Sequence, residues 1–167
     1  VKDYYKDCEV LNYGSNGGAS NRLVNFLTNM ARDNNTSYYP IKNPDYSNCC
    51  AVVINIGTNV GVQGSIENSI PQLANANDLE NNPLKNIDVK IAINEGFKYN
   101  DQIIDSEEDY WNLFANDWYG NVALCIEYIQ YKNPKTQIFL LPPTYSSIAD
   151  SNPSSAVSIS NAMKELV

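Results

Sequence analysis

A short apolar run that ends in a glycine turn constrains the fold of this chain more than any other stretch. Residues 50–59 read Cys-Ala-Val-Val-Ile-Asn-Ile-Gly-Thr-Asn, a β-branched segment that predicts a buried strand stopping at a turn. Because the apolar residues are continuous rather than alternating, we expect a parallel strand covered on both faces by helices. Ligands of such sheets bind beyond the carboxyl ends of the strands. Gly57 and Asn59 are therefore predicted to lie at a crevice, although a simple strand-ending turn has the same composition.

Length and composition indicate one globular domain. The chain has 167 residues, of which 43% are hydrophobic, and this is enough for a single core. No run approaches 18 consecutive apolar residues, so no membrane-spanning segment is predicted. The net charge is −8, with 11 basic against 19 acidic residues, and this balance argues against a nucleic-acid partner. Neutral or sugar-like ligands and protein partners remain open.

The chain contains no histidine. A Ser-His-Asp site is therefore incomplete within these residues, because no other side chain here supplies an equivalent base near neutral pH. The four cysteines include no Cys-x-x-Cys pair, so no metal site is predicted; they are Cys8, Cys49, Cys50 and Cys125. Cys8 and Cys125 are predicted to be buried apolar residues, and the pattern leaves open whether any pair is bridged.

The segments before the apolar run alternate between strand and helix. Residues 9–13 predict a short strand, residues 14–18 a glycine-rich turn, and residues 20–32 a helix with apolar side chains at helical spacing. With the strand in residues 50–59 they form a predicted βαβ unit with parallel strands.

Residues 61–105 interrupt this alternation. They are rich in Gly, Pro and Asn, apart from a small alternating strand predicted at 89–93. A long irregular segment in a compact domain is more often functional than idle. We interpret residues 61–105 as an inserted loop or lid over the crevice.

The last third returns to regular elements. Ser106, followed by three acidic residues, predicts the start of a helix. This helix is expected to break near residues 117–120 and to stop at Asn133, which precedes a proline. Residues 137–141 predict another buried strand, and a final helix from about Ser158 reaches the end of the sequence without a cap.

Four aromatic residues surround the predicted break, namely Tyr110, Trp111, Trp118 and Tyr119. Aromatic residues at this spacing are usually part of a core. Trp118 and Tyr119 precede Gly120, where a broken helix would expose them, and we consider these two as candidates for substrate binding by stacking on sugar rings.

The order of these segments resembles the SGNH hydrolases, also called the GDSL-type esterase and lipase family. Residues 12–17, Asn-Tyr-Gly-Ser-Asn-Gly, resemble the second sequence block of the family, Asn-x-Gly-x-x-Gly. Residues 54–59, Ile-Asn-Ile-Gly-Thr-Asn, resemble the third block, Gly-x-Asn-Asp, and residues 133–143 resemble the passage from helix to strand before the last third of the domain. The resemblance covers about residues 8–60 and 106–167.

This resemblance implies a three-layer, flavodoxin-like α/β domain over residues 1–167, with a parallel sheet flanked by helices. It also implies a serine esterase or acyl-ester hydrolase without metal or organic cofactor, acting on an O-acylated carbohydrate or a similar small ester. In the family's mechanism the backbone N–H of Gly17 and the side chain of Asn59 would hold the oxyanion of the tetrahedral intermediate.

Two family motifs are missing from these residues. Neither Gly-Asp-Ser, which carries the nucleophile, nor Asp-x-x-His, which carries the base, is present, and Val60 stands where an aspartate is common. We therefore expect the chain to be the interior of a longer polypeptide, with the nucleophile before Val1 and the base after Val167. The alternative is an inactive module that keeps the fold, such as a glycan-binding or structural part of a phage tail or surface adhesin.

Overall fold

A computed structural model describes about half of the chain, namely residues 9–12, 20–32, 44–56, 88–99, 101–114, 116, 118–141, 160–161, 163–164 and 166. Its elements, in chain order, are α1 (Ser20–Leu27), β1 (Ala51–Asn55), α2 (Val89–Glu95), β2 (Phe97–Tyr99), β3 (Gln102–Ile104), α3 (Glu107–Asn112), α4 (Trp118–Lys132) and β4 (Gln137–Leu141). Residues 160–161 and 163–164 are also helical.

The main sheet of the described residues consists of two parallel strands. β1 pairs with β4 from Ala51 opposite Gln137 to Asn55 opposite Leu141. The strands predicted from the apolar run and from residues 137–141 are thus confirmed as strands, but β4 alternates between exposed and half-buried residues and is not the buried strand that was predicted. The protein is a mixed α/β protein in which helices pack on a small parallel sheet.

The described helices cover one face of this sheet. Ile54 is 1% exposed and belongs to a core cluster with residues of α1, α3 and α4, among them Val24, Trp111 and Leu124. On the opposite face, Val53 is 59% and its register partner Phe139 is 49% exposed. The prediction that β1 is covered on both faces is therefore wrong for the described part of the chain.

Helix α1 begins at Ser20 as predicted but ends earlier than its apolar pattern indicates. The hydroxyl of Thr28 donates to the carbonyl of Val24 at 2.7 Å and accepts from the backbone N–H of Met30 at 3.1 Å. The side-chain oxygen of Asn25 accepts from the backbone N–H of Arg32 at 2.6 Å. These side-chain bonds to the following backbone turn the chain away from the helix axis.

Two predicted strands are wrong. Residues 9–12 form no strand, because no other described strand lies alongside to pair with them. Val10 and Leu11 are 55% and 60% exposed. Residues 89–93 belong to helix α2 instead. The carboxylate of Asp88 caps this helix by accepting from the backbone N–H of Lys90 at 2.9 Å, and such a cap favours helix over strand.

Helix α2 and the β2–β3 hairpin form part of the segment interpreted as an insertion. The hairpin is antiparallel, and its Ile104 is 3% exposed in the main core. The Nζ atom of Lys90 lies 6.0 Å from the ring centroid of Tyr131, near the C-terminal end of α4. Residues 61–87 and 100 lie outside the described residues, so the interpretation of 61–105 as a lid stays a prediction.

The predicted helix start at Ser106 is confirmed, because its hydroxyl caps α3 by accepting from the backbone N–H of Asp109 at 3.1 Å. The break falls before Trp118, where α4 begins, and the stop before Asn133 is confirmed. Within the described residues, no helix is both long and apolar enough to cross a membrane. The three described cysteines are free thiols, and Cys125 is buried as predicted, whereas Cys8 lies outside the described residues.

Candidate functional site

The carboxyl ends of the two parallel strands meet at one edge of the sheet, which we call the carboxyl edge. Asn55 and Leu141, the last residues of β1 and β4, are register partners there. Helix α4 ends at the opposite edge, where the side chain of Asn133 donates to the carbonyl of Cys49 at 3.2 Å. Since α4 has 15 residues and is about 22 Å long, its first residue, Trp118, lies on the carboxyl-edge side.

A compact apolar cluster, which we call the edge cluster, lies at the start of α4. Its buried members are Trp118, Tyr119, Val122 and Met163. Leu23 of α1 and Ile56, which follows β1, both pack against it. The first turn of α1 and the end of β1 are therefore held by the same group of side chains.

The two aromatic residues considered for sugar stacking are buried in the edge cluster. Trp118 is 2% and Tyr119 is 5% exposed, so neither ring offers a face to solvent. Their burial follows from their position, because the break precedes Trp118 and leaves both residues inside the first turn of α4. The more common role of such aromatic residues, core packing, is the one that the structure displays.

The indole N–H of Trp118 is buried and has no acceptor among the described residues. Leaving a buried donor unsatisfied costs about 1–3 kcal/mol. Most buried polar atoms in proteins have a partner, so this atom marks a position where an acceptor is expected.

The two predicted oxyanion donors, Gly17 and Asn59, lie outside the described residues. Gly17 precedes Ser20, the first residue of α1, by three positions, and Asn59 follows Ile56 by three positions. Ser20 and Ile56, the described residues that stand nearest to Gly17 and Asn59 in the sequence, both lie near the start of α4. Ile56 packs against the edge cluster, and Ser20 is 1% exposed and contacts Asn121 of α4.

A buried polar network joins α1 to α4 through Asn121, which neighbours Val122 of the edge cluster, and we call it the Asn121 network. The side-chain nitrogen of Asn121 donates to the hydroxyl of Ser20 and to the side-chain oxygen of Asn116, both at 3.2 Å. Its side-chain oxygen accepts from Nη1 of Arg32 at 2.8 Å. Nη2 of Arg32 in turn donates to the carbonyl of Phe114 at 2.7 Å.

Sequence reasoning missed the Asn121 network. The only signal was the position of Asn121, three residues after Trp118 and four before Cys125 on the apolar side of α4. Asn121 is 1% exposed, and a buried side-chain amide needs hydrogen-bond partners. The sequence does not say which distant residues supply them.

A partly exposed charged group lies at the other end of α4. The Glu107 carboxylate accepts from the Tyr131 hydroxyl at 2.9 Å and from the Lys132 ammonium at 3.0 Å. Partial burial raises the pKa of Glu107, but the hydrogen bonds from Lys132 and Tyr131 and the charge of Lys132 outweigh burial and hold the pKa below its ordinary value. Burial, with the hydrogen bond and charge of Glu107, raises the pKa of Tyr131 to about 12.

Two groups on α4, one buried and one half-buried, have a pKa above the ordinary value. Burial raises the pKa of the Cys125 thiol, which keeps it neutral and unreactive near neutral pH. Burial also raises the pKa of Glu127. Among the described residues, no group of three His, Cys, Asp or Glu side chains is placed to hold a metal ion.

No protein-family model matches the chain, and neither a curated protein nor a solved structure does.

Proposed function

We propose that this chain is part of a serine ester hydrolase of the SGNH type that acts on an O-acylated carbohydrate or a similar small ester. The proposal includes a three-layer, flavodoxin-like sheet, with the nucleophile and the base on parts of the polypeptide outside these residues. The main structural support for the proposal is that Leu23 and Ile56 both pack against the edge cluster. Leu23 and Ile56 are described residues that stand six positions after Gly17 and three positions before Asn59 in the sequence, and this supports the pairing of the two donors.

The proposed chemistry uses the two donors in the transition state. A serine hydroxyl attacks the acyl carbonyl, and the negative charge that develops on the carbonyl oxygen is held by the Gly17 N–H and the Asn59 amide. The alcohol leaves, and water then releases the acid from the acyl-enzyme. A donor of this kind typically contributes about 3–4 kcal/mol to the transition state.

The test is ester hydrolysis by the full polypeptide that contains this chain, with p-nitrophenyl acetate as substrate. Replacing Asn59→Ala is expected to lower kcat by about 10²- to 10³-fold, because one oxyanion donor is lost. Asn48→Ala is the matched control, since Asn48 is an exposed asparagine next to Cys49, at the opposite edge of the sheet, and its kcat is expected to stay unchanged. No turnover by the unsubstituted protein at any concentration would contradict the proposal.

A second candidate is a glycan-binding or structural module without catalysis. The absence of histidine from the chain and the presence of Val60 favour it. Two measurements with acetylated and deacetylated oligosaccharides distinguish the two candidates: calorimetric titration for binding, and an assay of free acetate for hydrolysis. The module binds without releasing acetate, whereas the enzyme releases acetate from the acetylated form.

A further inference from the structure

We propose that a cavity at the amino-terminal ends of β1 and β4 is a modification site, at which the thiol of Cys50 exchanges with a small disulfide that carries carboxylates. We call it the thiol cavity. Its volume is about 420 Å³, and it opens widely to solvent. The residues that line it are Asn48, Cys49, Cys50, Asn133, Lys135 and Gln137. It lies at the edge of the sheet opposite the carboxyl edge, and the inference does not depend on the proposed ester hydrolysis.

The three described cysteines differ in their access to solvent. Cys50 is exposed, Cys49 is half-buried and Cys125 is buried. The thiol of Cys49 donates to the carbonyl of Ala51 at 3.4 Å, and its side chain packs against the main core. Sγ of Cys50 lies 4.0 Å from the carbonyl oxygen of Asn48, on the other side of the pair along the chain. Because thiol exchange needs access to the sulfur, Cys50 is the described thiol that a dissolved disulfide can reach.

The backbone of the cysteine pair is held on both sides of its shared peptide bond. The carbonyl of Cys49 accepts from the side chains of Asn133 at 3.2 Å and Thr136 at 2.9 Å. The carbonyl of Cys50 accepts from the backbone N–H of Gln137 at 2.9 Å. A bridge between the two neighbouring sulfurs has strict geometric requirements, and meeting them would break these bonds. A mixed disulfide on Cys50 is therefore expected to persist, because Cys49 does not displace it.

The charge of the thiol cavity selects an anionic partner. Among the described residues that line it, Lys135 alone is charged, and its backbone N–H donates to the side-chain oxygen of Asn133 at 3.0 Å. This bond fixes the turn that follows α4 and places Lys135 beside the cavity. The C-terminal end of α4 carries about half a unit of negative charge, and the whole chain has a net charge of −8. The full positive charge of Lys135 is therefore what allows a carboxylate to approach here.

The size and the polar lining of the thiol cavity also fit such a partner. Pockets for small molecules usually measure about 300–1,000 Å³, and the amides of Asn48 and Gln137 supply donors for carboxylates. In the exchange, the Cys50 thiolate attacks one sulfur of the disulfide and forms a new S–S bond to it. The original S–S bond breaks, and the other half leaves with the electron pair and takes up a proton. Cys50 is oxidised and the departing half is reduced, so no further oxidant is needed.

The experiment treats the native 167-residue chain with oxidised glutathione, which carries carboxylates on both halves, and maps the adduct by tandem mass spectrometry. We expect the adduct on Cys50. Cys50→Ser should lose it, whereas Cys49→Ser should keep it at an unchanged rate. Adduct formation mainly on Cys49, no reaction of Cys50, or a disulfide between Cys50 and another cysteine of the chain in place of the adduct would each overturn the inference.

A charge variant separates recognition by the cavity from mere exposure of Cys50. Lys135→Gln is expected to slow the reaction with oxidised glutathione by about 3- to 10-fold, as one unit charge does for nearby anions at a protein surface. The reaction with uncharged 2-hydroxyethyl disulfide should stay the same. Lys98→Gln is the matched control, since it removes an equal charge from an exposed lysine on β2 that does not line the cavity. Equal rates in the two lysine variants, or equal slowing with both disulfides, would contradict anion recognition by the thiol cavity.

Discussion

Two substitutions of Trp118 separate the contribution of its packing from the cost of its unsatisfied indole N–H. Trp118→Phe keeps most of the apolar surface and removes the N–H, which has no acceptor among the described residues. We expect the free energy of unfolding to change by less than about 1.5 kcal/mol, because the lost packing is offset by a desolvation penalty that disappears with the N–H. Trp118→Ala loses the packing as well and is expected to cost about 3–5 kcal/mol.

Urea unfolding followed by circular dichroism measures both Trp118 variants. A cost for Trp118→Phe that approaches the cost for Trp118→Ala would mean that the N–H bonds an acceptor in solution. The edge cluster would then contain a hydrogen bond that stabilises the start of α4.

Glu107 makes part of the stability depend on pH. Its pKa is held below the ordinary value of 4.5, so its contribution is fully present above that value and is lost as the pH falls through the lower folded pKa. Tyr131→Phe removes the hydroxyl that donates at 2.9 Å, and the pKa of Glu107 is expected to rise toward its ordinary value.

An NMR titration of the Glu107 carboxyl in the unsubstituted and Tyr131→Phe proteins checks this pH dependence directly. The difference in unfolding free energy between the two proteins should be larger at neutral pH than under strongly acidic conditions. Because Glu107 is 35% exposed, solvent screens its ion pair with Lys132 and keeps this contribution small. An unchanged pKa in Tyr131→Phe would contradict the role given to the hydroxyl.

At the scale of elements, the cap of α3 gives a direct test of helix stability. The hydroxyl of Ser106 accepts from the backbone N–H of Asp109 and also donates to the Asp109 carboxylate at 2.6 Å. Ser106→Ala is expected to destabilise the protein by about 1 kcal/mol, measured by urea unfolding. Ser106→Thr keeps the hydroxyl and should retain most of this stability, whereas equal losses in both variants would exclude capping as the cause.

The elements that the sequence predicts well are those with strong local signals. Strands β1 and β4 are short β-branched or apolar runs with clear ends, and the start of α3 is marked by Ser106 and the acids after it. The alternation of Val89, Ile91 and Ile93 predicts a strand, and only the cap at Asp88 favours the helix that the structure contains. Local periodicity does not decide such short segments.

Tertiary contacts explain what the sequence does not predict at the site. The end of α1 depends on hydrogen bonds that Asn25 and Thr28 make to the backbone after the helix. The contact between Asn121 and Ser20 joins residues 101 positions apart, and no spacing rule reaches that far. Motif resemblance supplied Gly17 and Asn59, whereas the Asn121 network is visible only in the fold.

At the scale of the whole molecule, the two faces of the sheet differ. The inner face packs on the helices through Ile54, while Val53, Phe139 and Leu141 on the outer face are 59%, 49% and 45% exposed. Parallel sheets occur almost only in proteins where both faces are covered. The proposed three-layer architecture therefore requires helices over these outer residues, in addition to the helices that the structure describes on the inner face.

Adjacent residues of β1 provide the test of this requirement. Val53→Thr and Ile54→Thr both introduce a β-branched hydroxyl residue, so that differences between them report burial rather than strand propensity. In the 167-residue chain, Val53→Thr is expected to change the free energy of unfolding by less than about 0.5 kcal/mol, and Ile54→Thr to cost about 2–4 kcal/mol. Urea unfolding of both variants gives the comparison.

The same pair of variants distinguishes two architectures when it is measured in the longer polypeptide. If helices from outside this chain cover the outer face, Val53→Thr buries a hydroxyl there and its cost should rise above about 1 kcal/mol. The cost of Ile54→Thr should stay the same, because the inner face is already covered. An unchanged, near-zero cost for Val53→Thr in both proteins would mean that the outer face stays open, and the three-layer, flavodoxin-like sheet would have to be abandoned.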